Sequence, residues 1–157
     1  MKKQLSTSKK GFTIIEVVLV LAIAGLIFLM VFVALPALQR SQRDTQRRDD
    51  MARVASALTN WQTNNNNNLP SDATGATKLI SDYLGGTSEF KDPDGTSYTI
   101  TIGSGALANA SNYGSHTINV QTNAKCSGEA AVAGSGNSNF AVLYKLEGAG
   151  TVCVDNQ

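Results

Sequence analysis

Residues 12 to 38 form a nearly continuous apolar run that holds a single ionisable side chain, Glu16. A bilayer core takes roughly 20 apolar residues as a helix, so the run is long enough to cross one. A carboxylate inside such a span costs about 2.5–3.5 kcal/mol at the helix centre and less near its end. A helix that is apolar all round has to be covered on every side, by lipid or by other helices. The carboxylate near its start needs a partner, and no residue elsewhere in the chain is placed to neutralise it.

The flanks orient the run. Met1–Gly11 carries four lysines and no acid, while nine Lys/Arg face twelve Asp/Glu from Phe12 onward. Basic residues stay on the cytoplasmic side, so the C-terminal part is expected outside the cytoplasm. A secretory signal would end in small residues after the apolar stretch, and Leu35-Pro36-Ala37 fits poorly. This leaves an uncleaved anchor or cleavage ahead of the run. In an oxidising compartment Cys126 and Cys153 are expected to pair, contributing about 3–4 kcal/mol by constraining the unfolded chain; two free thiols are the alternative. The mildly acidic body argues against a nucleic-acid partner. Two cysteines and one histidine make a poor zinc set. No nucleophile–base pair, phosphate loop or spaced carboxylate pair is present, so neither an enzyme nor a cofactor is expected.

Four segments follow: a leader (1–11), a membrane or filament-core helix (12–38), an amphipathic continuation (39–63) and a β-sheet head (64–157). Gly25 and Pro36 interrupt helix propensity, and Pro36 predicts a kink or local unwinding. Beyond Gln39, Met51, Val54, Ala55, Leu58 and Trp61 keep a 3–4 spacing on one face. One helix from about Phe12 to Thr63 is predicted, roughly 75–80 Å long at 1.5 Å per residue. Asn64–Asn68 and Leu69-Pro70 end it. The asparagine run reads as a loop, with adhesion or sugar contact as the sharper alternative. The arginines at 40, 43, 47, 48 and 53 read as a solvated helix segment with i,i+4 pairs. Inter-subunit salt bridges or lipid headgroup contact are their alternatives. Lys78–Leu84 predicts a short helix closed by Gly85-Gly86. Asp92-Pro93-Asp94-Gly95 predicts a type I turn, with a calcium site as the alternative. Tyr98–Ile102, Thr117–Gln121, Phe140–Leu146 and Thr151–Val154 predict strands, the last two joined by Glu147–Gly150. Gly103–His116 and Cys126–Asn139 are expected as loops. Asn109-Ala110-Ser111 fits a glycosylation sequon, and His116 reads as a surface polar residue. The fold class is α+β: a long helix on a small antiparallel sheet.

Gly11-Phe12-Thr13-Ile14-Ile15-Glu16 at the head of a long apolar helix resembles the class III leader of type IV pilins and type II secretion pseudopilins. The stretch Arg48–Leu58 followed by Leu69-Pro70 is similar to the amphipathic half-helix of that superfamily. Lys91–Gly95 with Tyr98 is similar to its post-helix segment. The resemblance covers roughly the first hundred residues and is closest to a type IV pilin. It implies cleavage by a prepilin peptidase between Gly11 and Phe12, N-methylation of Phe12, and a single-pass membrane stage. Extraction through a pilus assembly platform into a helical surface homo-filament for adhesion, motility or DNA uptake would follow. A pseudopilin of a secretion or competence apparatus is the alternative. In the filament, Glu16 would pair with the Phe12 amine of a neighbouring subunit, and the segment between Gly25 and Pro36 would be the part that unwinds. Pro36 lies a few residues later than the superfamily's usual proline.

Overall fold

The computed structural model describes residues 11–104, 114–134, 136–148 and 150–157. The leader Met1–Lys10 and the sequon Asn109–Ser111 lie outside them. The chain divides into two units, Met1–Gln39 and Arg40–Gln157. Helix α1 is assigned from Ile14 to Asn64 without interruption at Gly25 or Pro36.

In the first unit the large apolar side chains from Phe12 to Leu38 are exposed. By length and composition this is the one helix among the described residues able to cross a membrane. In the second unit α1 buries Arg47, Met51, Val54, Ala55, Leu58 and Gln62. The predicted stripe is therefore real, but it begins with an arginine and ends with a glutamine. Trp61 is only partly buried, at the edge of the core, with its ring 5.8 Å from that of Tyr83. Asn66 adopts a left-handed φ of 52°, and the Asn67 N–H reaches back to the Gln62 carbonyl at 2.8 Å. This is the six-to-one bond of a Schellman stop, with asparagine in glycine's place.

Helix α2 spans Ala73–Tyr83, beginning five residues before the predicted Lys78. Its start is set by Asp72, whose side chain accepts the Gly75 N–H at 2.7 Å. That cap offsets the weak helix propensity of the Ala-Thr-Gly-Ala-Thr stretch behind it. At the other end the Gly86 N–H bonds the Ile80 carbonyl across Gly85, whose φ is 84°.

Six strands follow among the described residues: β1 Thr99–Ser104, β2 Thr117–Thr122, β3 Ala124–Ser127, β4 Ala130–Ala133, β5 Phe140–Lys145 and β6 Thr151–Asp155. The main sheet has the order β1-β2-β5-β6. It corrects the expectation of a purely antiparallel sheet, because β1 and β2 run parallel with Ile100 beside Ile118 and Ile102 beside Val120. A parallel pair needs a connection of about a dozen residues or more, and residues 105–116 supply it. The other pairings, β2–β5 and β5–β6, are antiparallel. The second correction concerns the expected loop from Cys126 to Asn139. It holds most of the hairpin β3–β4, closed across Gly128 at φ 63°. These short strands are rich in alanine and serine and carry little strand propensity of their own.

The hairpin explains why β5 is buried along its length. Phe140, Val142 and Tyr144 belong to the main core with Met51, Val54, Leu58, Leu79 and Phe90. Ala141 and Leu143 belong to a smaller cluster with Ala124 and Ala131, edged by Cys126 and Cys153. Alternate residues of one strand thus meet different partners. Cys126 on β3 and Cys153 on β6 form a disulfide with Cα atoms 5.8 Å apart, closing a separation of 27 residues. Replacing both by serine is expected to cost about 3–4 kcal/mol, read as a lower thermal midpoint with far-ultraviolet circular dichroism retained, since the main core is untouched.

Candidate functional site

Gly11 and Phe12 precede the helix, and Phe12 is 91% exposed. The helix starts at Ile14 because Thr13 caps it. The Glu16 carboxylate accepts from the Thr13 backbone N–H at 2.9 Å and from its hydroxyl at 2.8 Å. The Thr13 hydroxyl oxygen in turn accepts the Glu16 N–H at 3.4 Å. This is a capping box, Thr-x-x-Glu, in which N-cap and third residue satisfy each other's free backbone donors. The positive end of the helix dipole also favours a carboxylate there. The expectation for Glu16 concerned its charge, and among the described residues no cation pairs with it. Its hydrogen bonding is met by a neighbour three residues away. The signal for Thr13 was legible as a threonine three residues before a glutamate. Phe12, Glu16, Val17, Val20 and Leu21 then line one shallow apolar hollow.

A family model described as the prokaryotic N-terminal methylation motif matches residues 6–32. The chain carries that motif. Motif and apolar helix together fit a type IV pilin-like or pseudopilin precursor. A motif of this type goes with processing at the N-terminus and membrane insertion of the helix behind it. No curated protein and no solved structure matches the chain.

In this motif-bearing chain the arginine run has a role that sequence reasoning missed. Arg47 is 5% exposed and Asp92 2%. The Arg47 Nε and Nη2 atoms donate to the two Asp92 carboxylate oxygens, each at 2.8 Å. Asp92 also accepts from the Tyr144 hydroxyl at 2.8 Å and from the Asp94 N–H at 3.1 Å. The third nitrogen, Arg47 Nη1, donates to Asp44 at 3.0 Å and to Glu147 at 3.2 Å. Arg43 holds Glu147 bidentately at 2.7 and 2.6 Å. Asp44 accepts the Glu147 and Gly148 N–H groups, both at 2.9 Å. The turn after β5 is thus clamped to α1. Burial pushes the Asp92 carboxyl up, but hydrogen bonds from Arg47, the Asp94 N–H and Tyr144 outweigh it, and the net shift is down. Arg47 is held charged by Asp92 against the opposing effect of burial. Glu147 is lowered to about 2, chiefly by Arg43. Asp94 is lowered to about 2, chiefly by the Thr96 N–H.

The Asp92–Gly95 turn closes through a Gly95 N–H to Asp92 carbonyl bond of 2.8 Å. Asp92, Asp94 and His116 offer donor atoms within 4.8 Å of one another. The set does not fit a cation, because both Asp92 oxygens are already taken by Arg47, Tyr144 and the Asp94 N–H. His116 Nε2 lies 2.6 Å from Asp94 Oδ2, so this histidine has a defined partner. An alanine-like Cβ at Gly25 would meet nothing within 4 Å.

Removing one member of a buried pair leaves the other uncompensated. Arg47→Ala is expected to destabilise the head by about 3–5 kcal/mol, measured by denaturant unfolding. Arg47→Met with Asp92→Leu, which removes both charges, should recover part of that loss. A pH dependence follows from the depressed carboxylates. Folded Glu147 and Asp94 bind fewer protons than the unfolded chain between their ordinary values, 4.5 and 3.8, and about 2. Their contribution is complete above the ordinary values and is lost as pH falls toward about 2. Asp44 and Asp92 shift the same way, while Asp50, raised by burial, acts in the opposite sense. The urea midpoint should therefore fall through this acid window, and less steeply in Arg43→Met.

Proposed function

We propose that the chain is a type IV pilin precursor. A prepilin peptidase cuts between Gly11 and Phe12 and methylates the new Phe12 amine. The subunit waits in the membrane as a single-pass protein. An assembly platform then moves it into a helical surface filament whose core is made of the apolar halves of α1. The observation that carries this reading is the N-terminal methylation motif running directly into a helix whose apolar surface is exposed on all sides. A pseudopilin shares that motif. The late disulfide between Cys126 and Cys153 favours the pilin, whose head is exposed outside the cell.

Within the filament, Glu16 exchanges its Thr13 hydrogen bonds for the Phe12 amine of a neighbouring subunit. In a core of low dielectric an unpaired charge is expensive and a paired one less so, so the pair rejects wrong axial steps. Gly25 and Pro36 are the positions where α1 would yield during assembly.

Glu16→Ala is expected to leave cleavage and membrane insertion intact and to abolish filaments in electron micrographs. Glu16→Gln separates two roles, since glutamine still closes a capping box but carries no charge. Loss of filaments in both variants supports charge pairing; normal piliation in either would sink it. Mass spectrometry of sheared surface material should find N-methylated Phe12 at the N-terminus. Short structures confined beneath the outer surface, with a secretion defect on deletion, would favour the pseudopilin.

A further inference from the structure

A cleft of about 450 Å³ opens where the end of α1, the C-terminal ends of the parallel strands β1 and β2, and the segment before β5 converge. The volume lies within the roughly 300–1,000 Å³ of small-molecule sites. Its chemistry is unusual for this chain. Four side-chain amides line it, from Asn67, Asn68, Asn123 and Asn137, and no ionisable side chain does among the described residues. Ser104 and Thr122 add hydroxyls, and Leu69 and Ile102 an apolar strip.

Two of those asparagines sit where a side chain is a liability. Asn67 and Asn123 have φ of 62° and 56°, a region that glycine occupies at less cost. At both positions an amide stands where the backbone alone would favour glycine. Asn123 carries a further burden: its Oδ1 is buried with no hydrogen-bond partner among the described residues. An orphaned buried acceptor costs about 1–3 kcal/mol. The same residue lines the cleft. The cleft wall is itself fixed. Ser138 accepts from Asn67 through its hydroxyl and from Gln62 and Asn156 through its carbonyl, and the Thr122 hydroxyl donates to the Gly103 carbonyl at 3.1 Å.

We propose that this cleft binds a neutral saccharide. A primary amide carries two N–H donors and an acceptor oxygen, so Asn67 and Asn68 keep one N–H each after bonding Ser138 and Asn65, and donor–acceptor pairs of this kind match the paired hydroxyls of a pyranose ring. Leu69 and Ile102 suit the C–H face of such a ring. With no counter-charge in its lining, the cleft favours a neutral ligand over a phosphate or a carboxylate. The proposal does not rest on filament formation, because every lining residue belongs to the second unit.

The test uses the full chain in polyoxyethylene ether micelles, which contain no sugar. Methyl glycosides of glucose, galactose, mannose and N-acetylglucosamine are titrated by calorimetry and by saturation-transfer NMR. At least one is expected to bind saturably in the millimolar range, with an affinity unchanged by added salt. Asn123→Gly keeps the backbone conformation and removes the amide; it should weaken binding about tenfold, the equivalent of one hydrogen bond of roughly 1.4 kcal/mol. Ser104→Lys, at an exposed strand end, should block the cleft and abolish binding. Absence of saturable binding by all four glycosides overturns the proposal. So does binding that falls with salt, or that survives Ser104→Lys.

Discussion

The Arg47–Asp92 pair is stable only as a complete set. Neither charge can be left alone in the core, and the pair is acceptable because Tyr144, Asp44, Glu147 and the Asp94 N–H fill the remaining valences. Such a pair adds orientation more than net stability. Arg47 lies on the same face of α1 as Met51, Val54 and Leu58. Rotating the helix enough to expose the guanidinium would also lift those side chains off the sheet. The small residues Ala55 and Ala57 give little resistance to such a slip by packing alone. The ion pair supplies it, and through Asp44 and Arg43 it also fixes the turn after β5 against the same helix.

At the other end of α1 a carboxylate is handled in the opposite way. Asp92 is buried and fully partnered, whereas Glu16 is exposed and, among the described residues, held by Thr13 alone. The capping box meets the hydrogen-bonding demand of Glu16 without neutralising it. A single chain therefore has a well-formed helix start, and its carboxylate remains available to a stronger partner. On the pilin reading, Glu16 is a group with two successive partners.

Much of this was legible in the chain itself. The apolar run, the 3–4 spacing of Met51, Val54, Ala55 and Leu58, and the stop at Asn64–Pro70 together specify α1. Alternation at Tyr98–Ile102 and the solid apolar run of Phe140–Tyr144 mark β1 and β5. What escaped was set by distant or weak signals. The parallel direction of β2 beside β1 is a long-range pairing that no local pattern encodes. β3 and β4 are built from residues too small to show a strand pattern. Arg47 looks like any member of a solvated arginine run, and its partner lies 45 residues away. Thr13 is different, since its pattern was present and local.

The disulfide between β3 and β6 has a consequence for how the head withstands proteolysis. A single proteolytic cut anywhere between residues 126 and 153 leaves the two fragments covalently joined. The piece carrying β5 keeps its place between α1 and the hairpin, because Phe140, Val142 and Leu143 remain packed on both faces. The C-terminal strand then has nowhere to diffuse, and a nicked head can reseat its ends.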